Sequence, residues 1–274
     1  MTTPREVRRA EDPREPTVGA PGRAPLSLTR TLLLLEVLLV LALSLGRSAI
    51  YSIVSLIESI TAPGGLRDQA AVMNPSLAPD RPWLDLTLQL LASTFRVMPA
   101  LLVIYLLYRT GDNVRAIMIG PDRRRHDVVR GAVLAVAVGS VGIAFYVVTR
   151  ELGINLTVIA ADLPEVWWRY PMLVASALSN AVLEEVLVLG YLLTRLEQLG
   201  LSRRSGILLS ALLRGSYHLY QGIGGFLGNA AMGLLFGWLY TRWGRVLPFV
   251  IAHTLLDIGA FVGYALLADK VDFL

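Results

Sequence analysis

The chain contains no cysteine, a single lysine (Lys270), three histidines and few charges of any kind. Without cysteine there is no disulfide framework, no thiol nucleophile and no thiolate ligand for a metal. Charged residues make up 17% of the 274 positions, against about 25% in an ordinary soluble domain. Hydrophobic residues reach 54%, and the mean hydropathy is +0.58. Several unbroken apolar runs reach the roughly 20 residues that a helix needs to cross a bilayer. These quantities exclude a soluble globular class and imply a polytopic, all-α membrane helix bundle. The basic excess, net +4 with a pI near 9.6, does not point to nucleic acid, because the arginines sit beside the apolar runs.

Residues 1–26 are rich in proline, arginine and acidic side chains and have no apolar period. They read as a disordered basic tail on the cytoplasmic side, and they lack the apolar core of a signal peptide. About seven spans follow, near 28–60, 83–108, 128–149, 168–195, 205–220, 223–241 and 246–268. The first is over-long and reads as one crossing plus a short interfacial helix. Residues 27–164 form an amino-terminal group of membrane helices, and residues 165–270 a second bundle that carries the polar chemistry. Arginine-rich loops alternate with arginine-poor ones, so the positive-inside rule places the amino terminus in the cytoplasm of a multi-pass cell-membrane protein. Trp167, Trp168 and Tyr170 read as an interfacial aromatic belt. Gly228, Gly233 and Gly237 read as positions of close helix contact.

Ionisable side chains inside a span cost about 2.5 to 3.5 kcal/mol each on the gentlest scale, so each is a functional candidate. The candidates are Glu184 and Glu185 in the fourth span, Arg214 and His218 in the fifth, and His253 and Asp257 in the seventh. Residues four apart share a helix face, which pairs Asn180 with Glu184, Arg214 with His218, and His253 with Asp257. Adjacent Glu184 and Glu185 are about 100° apart and cannot face one target. Counting about 1.5 Å per residue from the nearest arginine-rich loop puts Glu184, His218, His253 and Asp257 in the middle third of a core about 30 Å thick. Arg96, in mid-span, reads as one half of a structural ion pair with Glu36 or Glu58.

The segments EEVLVLG (184–190), RGSYH (214–218) and HTLLD (253–257), in that order, resemble the CPBP family of intramembrane endopeptidases. That family comprises the type II CAAX prenyl proteases and the bacteriocin-processing (Abi) proteins. The resemblance covers roughly residues 165 to 268. It implies a membrane-embedded hydrolase acting on a peptide or protein substrate in the lipid bilayer. Glu184 would be the general base that activates water, His218 and His253 would position that water or polarise the scissile carbonyl, and Asp257 would stand at the family's Asn or Asp position. Two routes stay open here. One is water activated by glutamate alone; the other is a metalloprotease with zinc held by His218, His253, Glu184 and Asp257. The chain departs from the family pattern at Leu189, where an arginine is usual, and at Arg214, where a phenylalanine is usual. We therefore expect Arg214 to supply the missing partner of Glu185. A proton-coupled transporter and a catalytically silent membrane scaffold or immunity protein are the alternative readings of the same polar residues.

Overall fold

The computed structural model describes residues 27–120 and 124–270; the tail expected over 1–26 lies outside the described residues. The architecture is all-α. Helix α1 (Arg30–Leu43) starts where the Thr29 hydroxyl accepts from the Leu32 amide at 3.3 Å, a conventional side-chain cap. It breaks at Ser44 and continues as α2 (Leu45–Thr61) after a bend of 50°. Then come α3 (Pro82–Arg109), the short α4 (Val114–Met118) and α5 (Arg124–Glu151). Helix α6 (Arg169–Glu185) passes without interruption into a π-helical stretch, Val186–Leu192, and then into α7 (Leu193–Gln198). Helices α8 (Arg203–Ser216), α9 (Ile223–Trp243) and α10 (Leu247–Leu267) complete the bundle.

Among the described residues, five helices are long and apolar enough to cross a membrane, and the bent α1–α2 pair, taken as one span, makes a sixth. The expected span at 205–220 takes a different form. Helix α8 has only 14 residues, about 21 Å at 1.5 Å per residue, which is short of a bilayer core. The chain from Tyr217 to Gly222 carries the connection onward in a tight turn. There the Leu156 amide donates to the Gln221 carbonyl at 3.0 Å, and the Ile223 amide to the Ile154 carbonyl at 2.9 Å. The early stop was concealed because no glycine or proline stands between Tyr217 and Gln221 to mark it.

One stretch sits at the centre. In the most apolar part of 169–198, 61% of the residues are buried against protein, compared with 17% for α3, α5 and α10. The outer helices therefore turn most of their surface to lipid, and α6 with its π continuation is the axis around which they pack. Leu187, Val188, Leu189 and Tyr191 form the principal core with Val103, Leu107, Phe236 and Phe249. Without a hydrophobic force to separate helix from lipid, close packing and polar contacts must hold the bundle. Gly233 and Gly237 do this for α9: a methyl group at either would come within 2.9 Å of Ala211 or Ile207 on α8. Gly228 faces Phe145 of α5 instead.

The arginine-rich turns meet at one end of the bundle. The Arg30 guanidinium donates to the Leu199 carbonyl at 2.7 Å, and Arg245 pairs with Asp127 at 2.7 Å. Arg195, read from the sequence only as a marker of sidedness, has no exposure and is bound by Glu36 at 2.8 Å and Asp112 at 2.9 Å. At the opposite end, β1 (Ala70–Val72) pairs in parallel with β2 (Thr157–Ile159), with Ala71 opposite Val158. The aromatic-belt expectation is corrected here. Trp167 is exposed, but Trp168 is 2% exposed and packs with Leu163, Met172 and Phe261 under the loops.

Candidate active site

The last turn of α6 brings Asn180, Glu184 and Glu185 to the middle of the bundle, and their different azimuths send the two glutamates to different partners. Glu185 is fully buried. Arg214, also fully buried on α8, donates through Nη2 to Glu185 Oε1. The same oxygen accepts from His253 Nδ1 of α10 at 2.7 Å. A single carboxylate thus ties three helices together, and the Arg214 guanidinium covers the Phe236 ring at 5.4 Å. This is the pair anticipated from Leu189 and Arg214.

Glu184 turns the other way. Its Oε2 accepts a hydrogen bond from the Tyr217 hydroxyl at 2.6 Å and lies 3.9 Å from Arg214 Nη2. It remains partly open to a cavity of about 760 Å³, which His218, His253, Asp257 and Asn180 also line. The four side chains expected at one depth therefore share one wall system.

The histidines differ in what they can offer. His218 sits just after α8, where its Nδ1 is 2.9 Å from the Arg214 carbonyl. A carbonyl can only accept, so Nδ1 carries the hydrogen and a neutral ring presents Nε2 as an acceptor. The ring is held between Tyr217 and Tyr220, with centroids at 4.7 and 6.3 Å. His253 instead places Nδ1 on Glu185 and Nε2 at 3.5 Å from Asp257 Oδ1. Both nitrogens face carboxylate oxygens, which suits donation. Asn180 Nδ2 reaches Asp257 Oδ2 at 3.4 Å.

A metal ion requires convergent lone pairs. Among the described residues no group of three or more His, Asp or Glu side chains is arranged to hold one. The bond from Nδ1 to a backbone carbonyl leaves His218 Nε2 free as a ligand, whereas His253 directs both of its nitrogens toward carboxylates.

Two contributors were not anticipated. Tyr217 had no role in the sequence reading, since nothing in RGSYH shows that its hydroxyl would meet a carboxylate 33 positions earlier. Arg96 was expected to pair with Glu36 or Glu58. Glu36 is taken by Arg195 and by the Tyr191 hydroxyl at 3.0 Å, and Arg96 donates through Nη1 to the hydroxyls of Ser176 at 3.0 Å and Ser179 at 3.2 Å. The amino-terminal helices also build the cavity: Arg47, Tyr51 and Ser55 of α2, and Phe95 and Pro99 of α3, line it opposite Glu184.

Residues 166–259 match a family model described as Type II CAAX prenyl endopeptidase Rce1-like. The match spans Asn180 through Asp257 and leaves α1 to α5 outside it. No curated protein and no solved structure gives a significant match to the chain.

Proposed function

We propose, from the match of residues 166–259 to the model described as Type II CAAX prenyl endopeptidase Rce1-like, that the chain is an intramembrane endopeptidase whose attacking water is activated by Glu184. The family assigns protease chemistry at the level of the class. The glutamate route is our reading of the site.

Peptide hydrolysis needs a base for water, a donor for the carbonyl oxygen as charge builds on it, and a proton for the leaving amine. Glu184 accepts the water proton, with His218 Nε2 accepting a hydrogen bond from the same water and fixing its direction. The oxygen attacks the scissile carbonyl carbon. His253 donates to the carbonyl oxygen, its ring held in place by Glu185. Glu184 then returns its proton to the amine nitrogen as the C–N bond breaks. Atoms and protons balance with no further reactant.

The observation that carries this reading is the division of labour between the two glutamates. Glu185 is committed to Arg214 and His253, whereas Glu184 keeps its place on the cavity wall beside both histidines. The substrate is a peptide or protein segment within the membrane. We also propose the cytoplasm for the amino-terminal side, supported by the gathering of arginine-rich turns at one end of the bundle.

The test is Glu184→Gln in the purified, detergent-solubilised chain. Cleavage should fall at least about 100-fold while the thermal unfolding midpoint stays within a few degrees of wild type. Comparing membrane proteomes of cells carrying either form would identify the substrate by its altered fragments. Activity within a few-fold of wild type would refute the assignment of Glu184 as base.

A further inference from the structure

Arg96 lines the cavity wall, as Arg47 and Asp257 do, has no task in the proposed mechanism, and is costly where it stands. It stands in the middle of α3, a 28-residue membrane helix outside the family match. A guanidinium at that depth needs a counter-ion or a water-filled opening. Its Nη1 is held by the hydroxyls of Ser176 and Ser179, which are neutral and bring no counter-charge of their own. The hold is firm all the same. Ser176 Oγ donates to Asn74 Oδ1 at 2.7 Å, and Asn74 Nδ2 donates to the Ala160 carbonyl at 2.8 Å. The guanidinium is thus aimed by a chain of hydrogen bonds that ends in the β1–β2 loops.

What is left over points at a ligand. Among the described residues no carboxylate is in ion-pair contact with Arg96, and its Nε and Nη2 have no hydrogen-bond partner. Arg96 lines the same cavity as Glu184 and Asp257, whose charges act on it across the space. The free edge of a guanidinium fixed at one corner fits a planar anion with two oxygens. A phosphate would bring more negative charge against Glu184 and Asp257; a carboxylate brings one.

We propose that Arg96 is the binding position for a carboxylate of the substrate, and that it sets which peptides are held beside Glu184. The inference rests on the proteolytic reading of the cavity but is tested by binding, so each can fail alone. The carboxylate is either the free carboxyl terminus of the peptide or an acidic side chain near the cut. With the terminus as ligand, cleavage is confined to the last few residues of a chain.

The probe is N-decanoyl-Ala-Val-Leu-Ala as free acid, as its carboxamide, and as a carboxamide with Asp in the last position. Affinity is measured on the full chain in nanodiscs. Wild type should bind at least one of the two carboxylate probes about tenfold or more tightly than the plain carboxamide, as expected for a charge-assisted pair. Preference for the free acid identifies the terminus; preference for the Asp peptide identifies a side chain. Arg96→Gln should bring the favoured probe down to the carboxamide level and leave the carboxamide unchanged. Arg96→Lys should fall between, since it keeps the charge and loses the fork. Equal affinity of wild type for all three probes overturns the proposal without any variant. An Arg96→Gln loss that is the same for all three also overturns it, because that pattern belongs to a structural role.

Discussion

Arg214 and Glu185 form an ion pair in which neither side chain has any exposure, 29 positions apart in sequence, on α8 and at the end of α6. Removing one partner strands the other charge in a medium that cannot solvate it, which costs about 3 to 5 kcal/mol. Arg214→Leu should therefore lower the thermal unfolding midpoint sharply, and Arg214→Leu with Glu185→Leu should recover part of the loss. An arginine restored at position 189 should not rescue it. Leu189 is 1% exposed in the principal core, and that space holds a leucine. Recovery of the midpoint by Leu189→Arg would mean that the π-helical stretch packs differently from the description above.

Tyr217→Phe removes the one hydroxyl donor on Glu184 among the described residues while preserving the ring that packs against His218. A hydrogen bond to a charged group contributes about 1.5 to 3 kcal/mol. If it orients the base for the chemical step, kcat should drop about tenfold or more with KM nearly unchanged. A rise in KM with kcat intact would show that the hydroxyl contacts substrate instead.

Asp257→Asn is expected to be tolerated. The carboxamide has the same size, can still accept from His253 Nε2 through its oxygen, can donate to the Asn180 oxygen once that amide turns over, and adds a donor to a wall where oxyanion charge develops. Steady-state kinetics should show kcat at or above the wild-type value. A loss of about 100-fold or more would indicate that the negative charge of Asp257 is itself required.

If Glu184 activates water without a metal, prolonged chelation should leave cleavage intact. Elemental analysis of the active protein checks it. Loss of activity on chelation and its return with zinc would reverse the choice of route.

Much of the site was legible because it is written in helical spacing. The intervals from Asn180 to Glu184 and from His253 to Asp257 fix shared faces, and mid-span charge is too costly to be incidental. The relocation of an arginine to position 214 followed from Leu189, since Glu185 could not stand unpaired. What the spacing could not reveal depends on contacts between distant segments. The partners of Arg96 come from α6, 80 and 83 positions away, and the sequence offers no reason to prefer two serines over a glutamate. Arg195 looked like a cytoplasmic marker because topology rules count charge without asking what neutralises it. The early end of α8 escaped notice because no glycine or proline marks it between Tyr217 and Gln221, and the turn is fixed by contacts with Ile154 and Leu156, far away in sequence.

The π-helical stretch between Glu185 and Leu193 also has a genetic consequence. A π segment amounts to surplus residues accommodated inside a helix. Loss of one codon there would let the backbone close into ordinary α geometry with little net rotation of one end against the other, because the surplus is already absorbed within the stretch. The same loss between Asn180 and Glu184 would rotate everything before it by about 100° relative to everything after it, taking Asn180 off the cavity wall and Ser176 away from Arg96. Single in-frame deletions should therefore be tolerated better within Val186–Leu192 than in the regular turns of α6.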